Sequence, residues 1–140
     1  MHRQFADTRM KIIIRENTPP IEVNGLTHLD QLIIAASKQA KDEEILSIIF
    51  LNADNSNQLG IVVGGDETVL GFNYNNQDQL YCASKGKQNC DDPIMTCYLL
   101  FQHHTEFPRK YVITLDNGLK AVHEFYEFNT LPNCIEWQKI

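Results

Sequence analysis

The order of periodicities along this 140-residue chain predicts an α+β fold: an antiparallel β meander of about five to seven strands with two α-helices packed on one face. Two stretches of helical spacing, one toward each end, frame a central run of short β-branched and aromatic segments broken by Asn, Asp, Gly and Gln clusters. The length suits one domain, so residues 1–140 are read as a single unit.

Met-Lys-Ile-Ile-Ile-Arg-Glu at 10–16 is β-branched and stops before Pro19 and Pro20, which cannot donate into a ladder; it reads as a short strand. Thr27 as N-cap, Asp30 in the first turn, and Leu29, Leu32, Ile33, Ala36 and Ala40 on one face predict a helix over 28–41. The period then changes, and Ile45–Leu51, Leu59–Val63, Thr68–Tyr74 and Leu80–Ala83 read as meander strands, closed by a fifth over Ile94–Phe101. Their connections are Asp54-Asn55-Ser56-Asn57, a tight Gly64-Gly65-Asp66 turn, Asn75–Asp78 and a longer Ser84–Pro93 loop. His103–Pro108 reads as a polar loop and Tyr111–Ile113 as a short extended piece. Leu115, Leu119, Val122 and Tyr126 predict a second helix over about 115–128. Trp137, in the alternating tail after Pro132, is expected to pack the last segment down.

The longest purely apolar stretch, Ile48–Leu51, is far below the roughly 18 residues that suggest a bilayer span, and Gln4, Asp7, Thr8 and Arg9 break any signal-like segment. The expectation is a cytoplasmic protein with no membrane contact, its Cys82, Cys90, Cys97 and Cys134 reduced and Cys82 and Cys97 in the core. A net charge of −6 would repel nucleic acid, so no direct nucleic-acid partner is expected. The charge is uneven: residues 42–92 carry nine carboxylates against Lys85 and Lys87, a local charge of −7.

Gly64-Gly65-Asp66-Glu67 matches four of the five letters of the diguanylate-cyclase signature, but Thr68 stands at the fifth and two glycines between apolar strands make a turn on their own account. Cys82, Cys90, Cys97, His103, His104 and Cys134 lack the paired close spacing of a zinc site. No phosphate loop or dinucleotide fingerprint occurs, so no catalytic residue, metal or cofactor is assigned. The alternatives are a small cytoplasmic hydrolase or nucleotide-handling enzyme using Cys97 and His103 or Asp66 and Glu67, and a secretion-system adaptor.

Two stretches carry a resemblance. Leu59-Gly-Ile-Val-Val-Gly-Gly-Asp-Glu-Thr-Val-Leu-Gly-Phe-Asn-Tyr74 is similar to the central hairpin, and Leu131-Pro-Asn-Cys-Ile-Glu-Trp137 to the ending, of the first of the numbered immunity-protein families of bacterial polymorphic toxin systems. Both helices fall where that family has them, so the resemblance spans nearly the whole chain. It implies a cytoplasmic inhibitor that binds and neutralises a cognate toxin domain, often one of the nucleic-acid deaminase fold, by occluding its active site.

The family has no catalytic residues to carry over, and charge must locate the toxin-binding surface. Successive meander loops alternate between the two ends of the sheet. Asp66, Glu67, Asp91 and Asp92 are thereby expected at one end and Asp54 and Asp78 at the other, with Gly64 and Gly65 structural in the turn between. The denser end is the expected docking face for a basic cleft.

Overall fold

The computed structural model describes residues 9–75, 81–88, 90 and 92–140. The chain runs β1 (Met10–Ile13), β2 (Ile21–Val23), α1 (Leu26–Asp42), β3 (Ser47–Asn52), β4 (Gln58–Val63), β5 (Glu67–Thr68), β6 (Leu70–Asn73), β7 (Tyr81–Ser84), β8 (Met95–Leu99), β9 (His103–Phe107), β10 (Ile113–Thr114), α2 (Leu115–Phe128) and β11 (Trp137–Lys139), with a 3-10 turn at Arg109–Tyr111.

The expected meander is there as β3, β4, β6 and β7, each antiparallel to the next. It sits inside a nine-stranded sheet whose main path is β11-β7-β6-β4-β3-β1-β2, and β5 and β10 form a separate pair. This exceeds the five to seven strands expected, because three-residue edge strands such as β2 and β11 are too short to leave a period in the sequence.

The strand expected over 94–101 is real but does not continue the meander. β8 lies parallel to the start of β3, Ser47 opposite Tyr98 and Ile48 opposite Leu99, and then turns antiparallel into β9. The cause lies in β3: β1 pairs only with Phe50–Asn52, which leaves the first half of that edge open. The N–H groups of Tyr98 and Leu100 fill it, donating to the carbonyls of Leu46 at 2.8 Å and Ile48 at 3.0 Å. β9 occupies the stretch whose sequence reads as a polar loop; its exposed His103, His104 and Glu106 carry the polarity of an edge strand rather than of a turn. Between β8 and β9, Leu100 and Phe101 both have positive φ, 49° and 65°, where hairpins usually place Asn-Gly. Three contacts offset that strain: the Leu100 bond to Ile48, the Phe101 N–H donating to Ser47 Oγ at 2.9 Å, and the Arg15 guanidinium 4.1 Å above the Phe101 ring.

Both helices cover one face. α1 buries Leu29, Ile33 and Ala36, and α2 buries Ala121, Val122, Phe125 and Tyr126, against Ile49, Leu51, Leu59, Ile61, Leu70 and Phe72 of the sheet, while Ala40 is buried beside Gly64. α1 starts earlier than expected: its N-cap is Gly25 with φ 111° and not Thr27, because the chain must reverse sharply out of β2. Thr114 caps α2, its hydroxyl accepting from the Asn117 N–H at 3.3 Å, and the helix occupies the range expected. The opposite sheet face carries a smaller core of Ile48, Val62, Val69, Met95, Cys97 and Val112. Cys97 is fully buried there, whereas Cys82 is only half-buried against the first core.

Two buried hydroxyls replace ladder partners where β5 leaves the main sheet to meet β10. Thr68 Oγ1 accepts from the Val62 N–H at 3.0 Å and donates to the Val62 carbonyl at 2.8 Å. Ser84 Oγ accepts from the Leu70 N–H at 3.0 Å and donates to the Tyr111 carbonyl at 2.7 Å. Buried backbone groups without such partners would cost about 1–3 kcal/mol each.

Candidate functional site

The two ends of the meander differ in chemistry. At one end the loop between β3 and β4 is a clamp of amides: Asn55 Nδ2 and Asn57 Nδ2 donate to the Asn129 carbonyl at 3.0 and 2.8 Å, and Asn57 Oδ1 accepts from the Asn75 N–H at 2.9 Å. This ties the C-terminus of α2 to two sheet loops. Asp54 is exposed on it, and Asp78 lies outside the described residues.

At the other end, Gly64 begins the turn at φ 113°, so close to the C-terminus of α1 that a Cβ there would stand 2.8 Å from the Ile45 carbonyl and 2.9 Å from Ala40 Cβ. Asp66 follows, exposed, its carbonyl accepting from the Leu115 N–H at 2.9 Å. The turn is therefore where the end of α1 and the start of α2 converge. Asp42 at the end of α1, Glu44 just after it, Asp66, and Asp116 in the first turn of α2 stand exposed around it.

Glu67 is placed differently. Its carboxylate is forked onto the Arg109 guanidinium, with Nη1 to Oε1 at 2.9 Å and Nη2 to Oε2 as the second bond, and that hydrogen bonding raises the Arg109 pKa. Glu67 is thus a brace between β5 and the 3-10 turn, its charge matched locally. Asp92 is exposed with Lys85 and Lys87 on the same connection, and Asp91 lies outside the described residues. Sequence parity brought Asp66, Glu67 and Asp92 to one end but missed both Arg109 and the α1 carboxylates. The sequence does carry a signal for the α1 carboxylates, since a helix leading directly into β3 must finish where β4 ends.

Trp137 lies at the far edge of the sheet, its Nε1 donating to the Pro132 carbonyl at 2.8 Å and its ring meeting Phe72 edge-on at 6.2 Å.

Of the groups named for an enzyme, Cys97 and His103 are not bonded to each other, and Glu67 is held by Arg109. Cys97 sits opposite Thr105 in the β8–β9 ladder, and burial pushes its thiol up to about 12, so it stays protonated at neutral pH. His103, two residues further along that ladder, points to solvent and bonds Glu16 at 2.9 Å. Among the described residues, no group of three or more His, Cys, Asp or Glu side chains is placed to hold a metal ion, and no helix is long and apolar enough to cross a membrane.

A second surface feature lies between the helices. α1 and α2 run antiparallel, joined at one end by His123 Nε2 and Asp30 Oδ1 at 2.6 Å, and leave a groove of about 510 Å³ floored by Ile33, Leu115 and Leu119. Ile34 stands on its rim, 66% exposed.

Fold and surface together define a small α+β protein with two helices on one sheet face and charged loops gathered at one end. The family model described as immunity protein Imm1 matches residues 19–139, and the chain belongs to that family. Among curated proteins none matches the chain. Membership makes a toxin protein the implied partner.

Proposed function

We propose that this protein is a cytoplasmic, non-enzymatic inhibitor in a bacterial polymorphic toxin system, and that it neutralises a cognate nucleic-acid deaminase toxin by binding over its active site. The observation that carries the reading is Imm1 membership across residues 19–139. The buried, protonated Cys97 and its separation from His103 favour binding over catalysis. The docking face is the end of the sheet at Asp66, where Asp42, Glu44 and Asp116 join it and Asp92 flanks it. A toxin that acts on nucleic acid presents a basic cleft, and carboxylates at this end would steer onto it and compete with the polyanion.

Co-expression with the toxin encoded beside it is the direct test: survival of the cells is expected, and continued killing would refute the inhibitor role. For the surface, a variant with Asp42→Asn, Glu44→Gln, Asp66→Asn and Asp92→Asn, leaving the Glu67–Arg109 brace intact, should associate with the toxin about tenfold more slowly. Added salt should slow the unmodified protein in the same way. An unchanged association rate in a folded variant would move the interface to another face.

A further inference from the structure

We propose that the exposed ridge of α1 is a self-association surface, on which a second copy of this chain docks across a two-fold axis beside Ile34. The ridge carries Asp30, Ile34 and Lys38 at four-residue spacing, with Ser37 and Lys41 beside them on the groove. Four residues of helix advance about 6 Å, so the carboxylate and the ammonium stand at equal distances on either side of the isoleucine. That arrangement is its own complement. When two such helices run antiparallel, Ile34 meets Ile34, Asp30 meets Lys38 and Lys38 meets Asp30, as an isologous contact requires.

The surroundings fit the same occupant. Asp30 gives Oδ1 to His123, which leaves Oδ2 to accept from the second copy's lysine. Lys38 and Lys41 have no carboxylate partner among the described residues. The groove over Leu115 and Leu119 receives the ridge of the opposing α1, a ridge-into-groove packing that layers four helices. A basic toxin surface would meet two lysines here, so the charge favours a second copy over the partner proposed for the Asp66 end. Ile34 is the one large apolar side chain that α1 exposes, a small apolar centre beside the roughly 1,200 Å² that stable pairs bury, so the dimer forms at high protein concentration.

Sedimentation velocity on the full chain, between about 1 µM and about 1 mM, reads this directly. The mass should climb from 16.1 kDa toward twice that value in the unmodified protein and stay at the monomer in Ile34→Lys. Lys38→Asp and Asp30→Lys should each associate at least about tenfold more weakly alone, since each sets like charges opposite one another. Mixed in equal amounts they should associate again, because every contact is then of opposite sign. If Asp30→Lys fails to fold, having lost its His123 contact, Ile34→Lys and Lys38→Asp still decide. A monomer throughout the range, a dimer that persists in Ile34→Lys, or folded reversals that do not recover on mixing would each overturn the proposal. A monomer whose Ile34→Lys variant loses toxin binding would assign the groove to the toxin and overturn it as well.

Discussion

Gly118, inside α2, is a position where helix propensity and packing oppose each other. Replacing a glycine within a helix by alanine ordinarily stabilises by about 1 kcal/mol. Here a Cβ would stand 2.6 Å from Thr68 Cγ2, a methyl on a side chain locked by both of its bonds to Val62. Overpacking of this kind costs about 1–3 kcal/mol, so Gly118→Ala is expected to destabilise by about 1 kcal/mol net. Thr68→Ser keeps the hydroxyl and deletes the methyl, at a cost of about 1 kcal/mol. Combined, the new alanine methyl takes the space of the lost one: the clash disappears, the contact is restored and the helix gains its propensity. The double variant should therefore unfold within about 0.5 kcal/mol of the unmodified protein or above it, a coupling of about 2 kcal/mol. Urea denaturation with unchanged m-values measures all four corners of the cycle. A stabilising Gly118→Ala, or additive effects in the double variant, would show that the helix yields at this contact and refute the reasoning.

Gly64→Ala should cost about 2 kcal/mol or more by the same denaturation measurement, because the turn combines φ 113° with backbone 2.8 Å from the added Cβ. Cys97 gives a pH dependence. Its thiol is raised from 9.0 to about 12 by burial, so the stability it contributes is whole below about pH 9 and is lost as pH climbs from there toward 12. Cys97→Ala should accordingly lower Tm at about pH 8, with the gap to the unmodified protein narrowing by about pH 10.5; a constant gap would contradict the burial. An alkylating reagent at neutral pH should modify the exposed Cys90 and Cys134 well before Cys97, as mass spectrometry of the intact chain would record.

What the amino-acid sequence determined by itself is what neighbouring residues impose on one another. The 3.6-residue stripe of α2, the apolar face of α1 and the turn chemistry between β3, β4 and β6 are properties of short segments, and both helices and the meander were legible there. The Gly64–Asp66 turn followed from its own turn chemistry, and strand parity gave the end of the sheet at which Asp66 lies. The partners that strands and charges find at long range were decided only in three dimensions. β8 left the meander because half of β3's edge was open, a vacancy created by where β1 ends, at Ile13, more than 80 residues before β8 begins at Met95. Glu67 lost its place among free carboxylates to Arg109, 42 positions away, and the end of α1 and the residues just after it brought Asp42 and Glu44 to the end where β4 finishes. A charge pattern in sequence counts groups. Only the fold decides which of them are already matched, because a carboxylate's field at the surface depends on the cation beside it, and chain distance does not limit which cation that is.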